Sequence, residues 1–408
     1  MKILHTSDWH LGKRLENYSR LEEQKEVMEE ICEIAEREQV DAVIVAGDLF
    51  DTFNPPTEAI DLFYKTLKRL ANNGKRAVIC IAGNHDSPDR IEAPDPLARE
   101  CGILFAGYPG TVIFPFKLET GLQVTRSEPG FFEIKLPFHE TLLRVISTPF
   151  ANEHRMKTFL GVENDEVELG SLLAGKWNDL SRKYCNSKGV NILISHLFFV
   201  KNNDGSFEEP DDEKPILHVG GSQAIFSNKI PVDIQYVGLG HLHRKQQVDE
   251  TPCPVIYPGS PLAYSFSEAN QDKFVVIFEA NPGKPVSYET VKLAKGKKLL
   301  KKEFFNMEEA MDWLKQHPDC LVEITLIRDQ YITSGERKQL YNLHDGIIHI
   351  IPKITNKDLL EKSMGHKIDI QQDIKTLFQD YFTYRTGQTP NEEIMDLFKE
   401  ILSENHQS

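Results

Sequence analysis

Histidine, aspartate and asparagine residues stand directly after short apolar runs at five places in the chain. Such runs are typical of buried strands. The first three, Lys2–Thr6, Ala42–Ala46 and Ala77–Ala82, alternate with helical patterns at Leu21–Glu38 and Thr57–Ala71. This order predicts an α/β fold, a sheet flanked by helices, with the polar clusters outside the carboxyl ends of the strands, where ligands bind.

The five clusters carry groups that bind metal ions or move protons. They are Asp8 and His10 in SDWHLG, Asp48 and Asp51 in AGDLFD, Asn84, His85 and Asp86 in AGNHD, His196 in ISH, and His241 and His243 in GLGHLH. Taken singly, each is more often a solvated turn, an ordinary loop or a core histidine. Taken together, each at a strand end, they favour one shared site.

The residue types in these clusters predict a pair of metal ions. Imidazole and carboxylate suit Mn, Fe or Zn, and the groups outnumber the ligands of one tetrahedral ion. Two metals about 3.5–4 Å apart clamp a phosphate and need a bridging ligand. Asp48 can supply the bridge, because Gly47 before it lets the backbone turn and approach closely.

The charge balance limits how this protein can contact nucleic acid. The 408 residues include 47 Lys and Arg against 62 Asp and Glu, a net charge of −15. A surface of this sign repels DNA, so any DNA contact requires a local basic patch, a metal site or a basic partner. The lysine-rich stretch from Lys292 to Lys302 could contact phosphates or form a solvated face, and both interpretations stay open.

The amino terminus and the cysteines predict a cytoplasmic protein. MKILHTSDWH turns polar at His5, so it lacks a signal-peptide core, and no apolar run reaches about 18 residues, so no membrane span is expected. The six cysteines are scattered without a C-x-x-C pair, which favours a reducing compartment.

Composition and periodicity predict three domains. The turn cluster NPGKP at 281–285 separates a domain over 1–280 from a small α+β domain over 285–353, and a helical segment follows over 354–408. The helical segment has two apolar stripes: Ile374, Leu377, Phe378, Tyr381 and Phe382, then Ile394, Leu397, Phe398, Ile401 and Leu402 after a cap at Thr389. The stripes could pack on each other or the second domain; we favour docking on a partner.

The order D-x-H-x-G, G-D-x-x-D, G-N-H-D, lone His and G-H-x-H resembles the signature of calcineurin-like metallophosphoesterases. HTSDWHLG, VAGDLFDT, AGNHDS and YPGSPLAYSFSE (Tyr257–Glu268) narrow the resemblance to the SbcD nuclease family and extend it over the whole chain. It implies a metallophosphoesterase sandwich of β-sheets flanked by helices, with a small capping domain and C-terminal helices.

The resemblance also implies a role for each site residue. Asp8, His10 and His243 would hold one metal, Asn84, His196 and His241 the other, and Asp48 would bridge them. His85 would face the scissile phosphate and assist the leaving oxygen. Asp51 stands where archaeal and eukaryotic relatives have His. We expect it to orient His85 and keep it protonated; the alternative is a helix cap.

The activity implied is an ATP-dependent nuclease that prefers Mn²⁺, with Mg²⁺ as the alternative, and acts in DNA recombination and repair. It would be a 3′→5′ exonuclease on double-strand ends and an endonuclease on single strands and hairpins. The partners implied are the SbcC ATPase in a heterotetramer and a second copy through the nuclease domain, at the nucleoid. Two other functions stay open: a small-molecule phosphodiesterase or phosphatase, and a non-catalytic scaffold that organises SbcC at DNA ends.

Overall fold

The computed structural model describes residues 1–150, 169–201, 224–355, 374–386, 390, 394–395 and 398. Its strands are β1 (Lys2–Thr6), β2 (Arg14–Leu15), β3 (Tyr18–Ser19), β4 (Ala42–Ala46), β5 (Ala77–Ile81), β6 (Ile103–Ala106), β7 (Phe116–Lys117), β8 (Gln123–Glu128), β9 (Phe131–Lys135), β10 (Leu142–Thr148), β11 (Val190–His196), β12 (Phe199–Val200), β13 (Ile225–Phe226), β14 (Tyr236–Gly240), β15 (Gln246–Asp249), β16 (Val255–Tyr257), β17 (Phe274–Glu279), β18 (Ser287–Lys292), β19 (Lys298–Phe304), β20 (Cys320–Arg328) and β21 (Ile347–Ile354). Its α-helices are α1 (Leu21–Arg37), α2 (Thr57–Leu70), α3 (Pro88–Glu92), α4 (Asp95–Glu100), α5 (Leu169–Tyr184), α6 (Met307–Gln316), α7 (Ser334–Leu343) and α8 (Ile374–Thr386).

The first sheet is covered by helices on one face. Its strand order is β18-β17-β1-β4-β5-β6, and β1, β4, β5 and β6 are parallel. Successive side chains of a strand point to opposite faces. On one face, Leu4 and Val43 share a buried cluster with Val27 of α1 and Phe63 of α2.

The opposite face of this sheet packs on a second sheet. The second sheet has the order β15-β16-β14-β11-β10-β9-β8-β7. Ile3 and Ile44 of the first sheet lie in one buried cluster with Val145 and Ile192 of the second, while Trp177 of α5 covers the far side. The result is a sandwich of two sheets with helices outside, which confirms the predicted α/β fold class.

The strands that carry the candidate residues end at the same edge of this sandwich. β1, β4 and β5 run parallel in the first sheet, and β11 and β14 run parallel in the second. The backbone N–H of Phe150 donates to Ala82 O at 2.9 Å, so the loops after β10 and β5 are joined at this edge. Polar residues that are far apart in sequence therefore meet there.

The chain divides into two compact units, one of residues 1–301 and 319–322 and the other of 302–318 and 323–408. The division falls beyond the turn at 281–285, because β18 pairs with β17 from Ser287–Glu279 to Lys292–Phe274 and so returns to the first sheet. The three-part division into 1–280, 285–353 and 354–408 stays a prediction.

The second unit contains the elements expected of a small α+β structure. Residues of β19, β20 and β21 form a three-stranded sheet. Helix α6 begins after Asn306, whose side chain accepts from Glu309 N at 2.8 Å, and α7 begins with a capping box between Thr333 and Glu336.

One described residue of each C-terminal apolar stripe contacts the other stripe. The ring of Phe378 in α8 stacks on Phe398, with centroids 3.9 Å apart. The predicted cap at Thr389 and the stripe residues Leu397, Ile401 and Leu402 lie outside the described residues. Among the described helices, none has the length and apolar character required to cross a bilayer.

Candidate metal centre

The structure brings the seven predicted ligands together around Asp48, which is 2 % exposed. Asp48 Oδ2 lies 3.5 Å from His10 Nε2 and 3.4 Å from His196 Nε2. His10 follows a strand of the first sheet, whereas His196 ends a strand of the second. One carboxylate therefore reaches donors from both halves of the sandwich, as a bridging ligand must.

Two groups of donors flank this carboxylate. Ligand atoms of Asp8, His10 and His243 lie within 4.8 Å of one another, and the Nε2 atoms of His10 and His243 are 2.9 Å apart. On the other side, Asn84 Oδ1 lies 2.9 Å from His196 Nε2 and 3.1 Å from His241 Nδ1. Asp8 and His196 also lie with Asp48 in one group of this kind, so the division of the donors between two metal ions stays a prediction.

The backbone at these positions is constrained. Asp8, His10, Asp48 and His241 have φ values of 53°, 43°, 47° and 111°. Non-glycine residues adopt positive φ infrequently, and such strain concentrates at functional sites. Hydrogen bonds hold the loops in place: His10 N donates to Asp48 O at 2.9 Å, and His241 N donates to Asp8 Oδ1 at 2.8 Å.

Glycine permits the close approach of the two sheets at this edge. At Gly240 a Cβ would overlap the carbonyl oxygen of Ala46 and lie 2.8 Å from His196 Nδ1. The same Ala46 oxygen accepts a hydrogen bond from His196 Nδ1 at 2.8 Å, which leaves Nε2 directed towards Asp48. The glycine in GLGHLH is therefore required by the position of His196.

The predicted contact between the Asp51 carboxylate and His85 is replaced by a backbone contact. His85 Nδ1 lies 2.8 Å from the carbonyl oxygen of Asp51. The Asp51 carboxylate instead accepts a hydrogen bond from Lys13 Nζ at 2.9 Å and lies 3.7 Å from His10 Nδ1. Lys13 is the physical reason for the difference, because an ammonium competes for the carboxylate. Position 51 orients His85 through its main chain.

The charges in the centre are strongly coupled. Burial opposes charge on Asp48, but the imidazoles of His196 and His10 bring its pKa well below the ordinary value. Burial lowers the pKa of His196, but Asp48, Asp8 and the hydrogen bond to Ala46 O together raise it to about 9. Burial raises the pKa of Asp8 and lowers that of His10 well below its usual range. A negative carboxylate thus lies between a neutral imidazole, His10, and a protonated one, His196, which must release its proton before its Nε2 can bind a cation.

The donor set fits divalent metal ions. It combines imidazole nitrogens, carboxylate oxygens and one amide oxygen, which suit transition metals such as Mn. His10 is fully buried, and its Nδ1 has no hydrogen-bond partner among the described residues. Burial of so many polar groups has a high cost unless they are satisfied, and a metal pair would satisfy the atoms that face each other here.

Two supporting carboxylates were not assigned by the sequence. Asp86 accepts hydrogen bonds from the backbone N–H of Leu49, Phe50 and Gly83, at 3.0, 3.0 and 2.8 Å, and so joins the loops after β4 and β5. Burial and, second, the charge of Asp48 raise the pKa of Asp86 to about 6. Glu268 contacts His243. Their signals were present, since Asp86 completes GNHD and Glu268 completes YPGSPLAYSFSE.

One histidine near the centre is not a candidate ligand. His5 is fully buried inside β1, with Nδ1 2.9 Å from the Tyr236 hydroxyl and Nε2 3.1 Å from Leu239 O. Burial lowers the pKa of His5 to about 3. His5 is therefore a neutral, hydrogen-bonded core residue.

The sandwich and its buried donor cluster define the class of protein as a calcineurin-like phosphoesterase, and the calcineurin-like phosphoesterase family model matches residues 1–244. The SbcD subunit of the nuclease SbcCD from Bacillus subtilis is 37 % identical over 414 aligned residues, covering 99 % of this chain and 98 % of that protein. Proteins of the same name from Rhodobacter capsulatus and Staphylococcus epidermidis are 31 % and 33 % identical, covering 69 % and 67 % of this chain and 67 % and 64 % of their own lengths.

The chain therefore belongs to the SbcD family, the nuclease subunits of SbcCD. This membership confirms the predicted family and enzyme class, a nuclease within a family of hydrolases that use divalent metals.

Proposed function

We propose that this chain is the nuclease subunit of an SbcCD-type complex and hydrolyses DNA phosphodiesters at a two-metal centre. It acts in DNA end processing, recombination and repair, as an ATP-dependent 3′→5′ exonuclease on double-strand ends and an endonuclease on single strands and hairpins. One observation carries the proposal: Asp48 Oδ2 lies within 3.5 Å of histidine nitrogens from both sheets, and the four other candidate ligands lie around these three residues.

The donors divide into two metal positions in this proposal. Asp8, His10 and His243 would hold one metal, Asn84, His196 and His241 would hold the other, and Asp48 would serve both. When bound, such a pair clamps a phosphate, supplies hydroxide at neutral pH and stabilises the leaving oxygen. The proposed metal is Mn²⁺, as the family resemblance implies, with Mg²⁺ as the alternative. The imidazole-rich donor set counts against Mg²⁺, which is bound mainly through oxygen ligands.

His85 acts on the reacting phosphate. Its backbone N–H donates to Asp48 Oδ1 at 2.9 Å, and its Nδ1–H donates to Asp51 O at 2.8 Å. These two bonds fix the ring beside the donor cluster, with Nε2 as the atom that holds or releases a proton. A general acid placed in this way contributes about 10²–10⁴-fold to the rate.

The protein partners follow from the relatives and from the surface. The relatives are named as subunits of SbcCD, so SbcC is the proposed partner. In this proposal SbcC binds the C-terminal helices, and the two proteins form a heterotetramer that acts at the nucleoid. A homodimer through the nuclease domain is supported by exposed apolar side chains at Leu97 and Phe114, which are 77 % and 65 % exposed. The guanidinium of Arg99, in the same helix as Leu97, lies 5.7 Å from the centre of the Phe114 ring.

The lysine-rich stretch supplies the local positive charge that DNA requires. Lys292, Lys295, Lys297 and Lys298 line a cavity of about 390 Å³, where Lys292 pairs with Asp272 at 2.6 Å. Lys295 and Lys298 are exposed. We assign the contacts with DNA phosphates outside the metal centre to this side of the first unit, because the net charge of −15 disfavours phosphate contact at other parts of the surface.

The test compares substrates with and without the partner. Purified protein with Mn²⁺ is assayed on hairpin DNA and on bis-p-nitrophenyl phosphate, with and without SbcC and ATP. We expect hairpin cleavage that SbcC and ATP stimulate, and its loss in His85→Ala with unchanged metal content. Hydrolysis of the small ester alone would favour a small-molecule phosphodiesterase. End processing that survives in His85→Ala would favour a scaffold.

A further inference from the structure

Glu268 is a buried carboxylate beside the proposed metal centre that the ligand set does not use. It is 4 % exposed and ends a short 3₁₀ helix, Phe266–Glu268. Its Oε1 lies 3.4 Å from His243 Nδ1. A charged side chain is rarely buried unless it is paired and hydrogen-bonded, so its partners indicate its role.

Both oxygens of Glu268 are held in place. Oε1 accepts from the backbone N–H of Tyr264 at 2.9 Å and of Ser265 at 3.2 Å. Oε2 accepts from Lys273 Nζ and, at 3.3 Å, from the Ser260 hydroxyl. Burial opposes its charge, but the hydrogen bond from His243 and the ammonium of Lys273 lower the pKa of Glu268 to about 2. Glu268 is therefore an ionised carboxylate in a rigid setting.

The same group of residues holds the main chain of His243. Lys273 Nζ and Ser260 N each donate to His243 O at 3.1 Å. The imidazole and the backbone of this one residue are thus bound to a common network. An ion pair between Glu268 and Lys273 that served stability alone would not need to contact both the imidazole and the main-chain carbonyl of His243.

The geometry selects one tautomer of His243. When Nδ1–H points to Glu268, the lone pair is on Nε2, which lies 2.9 Å from His10 Nε2. A second partner of this type fixes the ring of a metal-bound histidine and raises its basicity. His196 has a backbone carbonyl in that role, whereas His243 has a full negative charge.

We propose that Glu268, held by Lys273, is a positioning residue that fixes His243 as a ligand of the metal shared with Asp8 and His10. The inference rests on the proposed two-metal function and deepens it. It predicts that loss of the carboxylate weakens one metal position and leaves the position of Asn84 and His196 nearly unchanged.

The test uses Glu268→Gln, which keeps the side-chain length and removes the charge, with Glu133→Gln as the matched control. Glu133 is 7 % exposed and pairs with Arg144 at 3.0 Å, away from the candidate ligands. Mn²⁺ binding is measured by titration calorimetry, and thermal unfolding is measured with chelator present. We expect Glu268→Gln to bind one Mn²⁺ about 10–100-fold more weakly and Glu133→Gln to bind both normally at a similar loss of unfolding temperature.

Three outcomes decide between the explanations. Normal binding of two Mn²⁺ by Glu268→Gln would overturn the proposal and leave Glu268 as a structural ion pair. Failure of the unsubstituted protein to bind two Mn²⁺ would count against the proposed function instead. If Glu268→Gln does not fold, the variant Lys273→Met replaces it, because it keeps the carboxylate and removes the ammonium that holds it. Lys273→Met must weaken Mn²⁺ binding at the same single site. Wild-type Mn²⁺ affinity in that variant would overturn the proposal.

Discussion

Gly47 gives the sharpest test of how the two sheets meet at the candidate site. It follows β4 with a φ of +88°, and an added Cβ would lie 2.6 Å from Cγ and 3.0 Å from Cβ of His196. We predict that Gly47→Ala displaces the His196 ring. The ring would then lose its hydrogen bond to Ala46 O and its approach to Asp48 at 3.4 Å.

The structure lets the two costs of this substitution be separated. A side chain at this positive φ costs about 1–2 kcal/mol by itself. Overpacking a buried site costs typically about 1–3 kcal/mol more. Gly121 supplies the matched control, because its φ is +95° but a Cβ there would have no neighbour within 4 Å. Gly121→Ala should therefore show only the first cost.

The assay is urea unfolding followed by circular dichroism with chelator present, and Mn²⁺ titration of the folded proteins. We expect Gly47→Ala to lose about 1–3 kcal/mol more stability than Gly121→Ala and to bind metal more weakly at the position of His196. Equal losses in the two variants, or wild-type Mn²⁺ binding by Gly47→Ala, would refute the reasoning about the close approach.

Four other outcomes are expected. Asp48→Asn should lower metal occupancy at both positions together, and elemental analysis that finds one full equivalent retained would contradict the bridge. Burial lowers the pKa of His5 to about 3 in the folded protein, so between about pH 6.5 and pH 3 only the unfolded chain binds a proton at this residue. On acidification through this range, the free energy of unfolding of the wild type should fall by up to about 1.4 kcal/mol per pH unit more than that of His5→Gln. Equal pH slopes in the two proteins would argue against a neutral His5. The double substitution Lys295→Gln and Lys298→Gln should reduce the slope of log affinity for DNA against log salt by about 0.9 per lost phosphate contact; an unchanged slope would assign these lysines to a solvated face. Deletion of 389–408 should leave metal-dependent ester hydrolysis intact but weaken co-purification with SbcC, and undiminished co-purification would remove the docking proposal.

Much of the fold could be predicted because its signals are local. The apolar runs at Lys2–Thr6 and Ala42–Ala46 are strands with those bounds, since a buried parallel strand is a continuous apolar run. The helical pattern at Thr57–Ala71 is a helix one residue shorter. The turn at 281–285 was equally visible, but a hairpin turn and a domain boundary have the same composition. Only the pairing of β18 with β17 distinguishes them.

At the candidate site, too, some features could be predicted from local sequence patterns and others depended on tertiary contacts. Polar residues at strand ends indicated which side chains would meet, whereas the partners that support them could not be assigned. Asp51 illustrates the limit, because its carboxylate turns to Lys13 and its carbonyl oxygen meets His85. That choice depends on where a lysine from another loop lies. The role of the seven donors as metal ligands stays a proposal.

The α/β class, the family and the set of residues at the site could be predicted from the sequence, because strand patterns and motif order are properties of short stretches. The tertiary structure decided how those residues are supported: Ala46 O behind His196, Glu268 behind His243 and Asp86 between two loops. The first two of these contacts join positions 150 and 25 residues apart. All three depend on how two sheets pack and how loops cross at one edge, which no local pattern encodes.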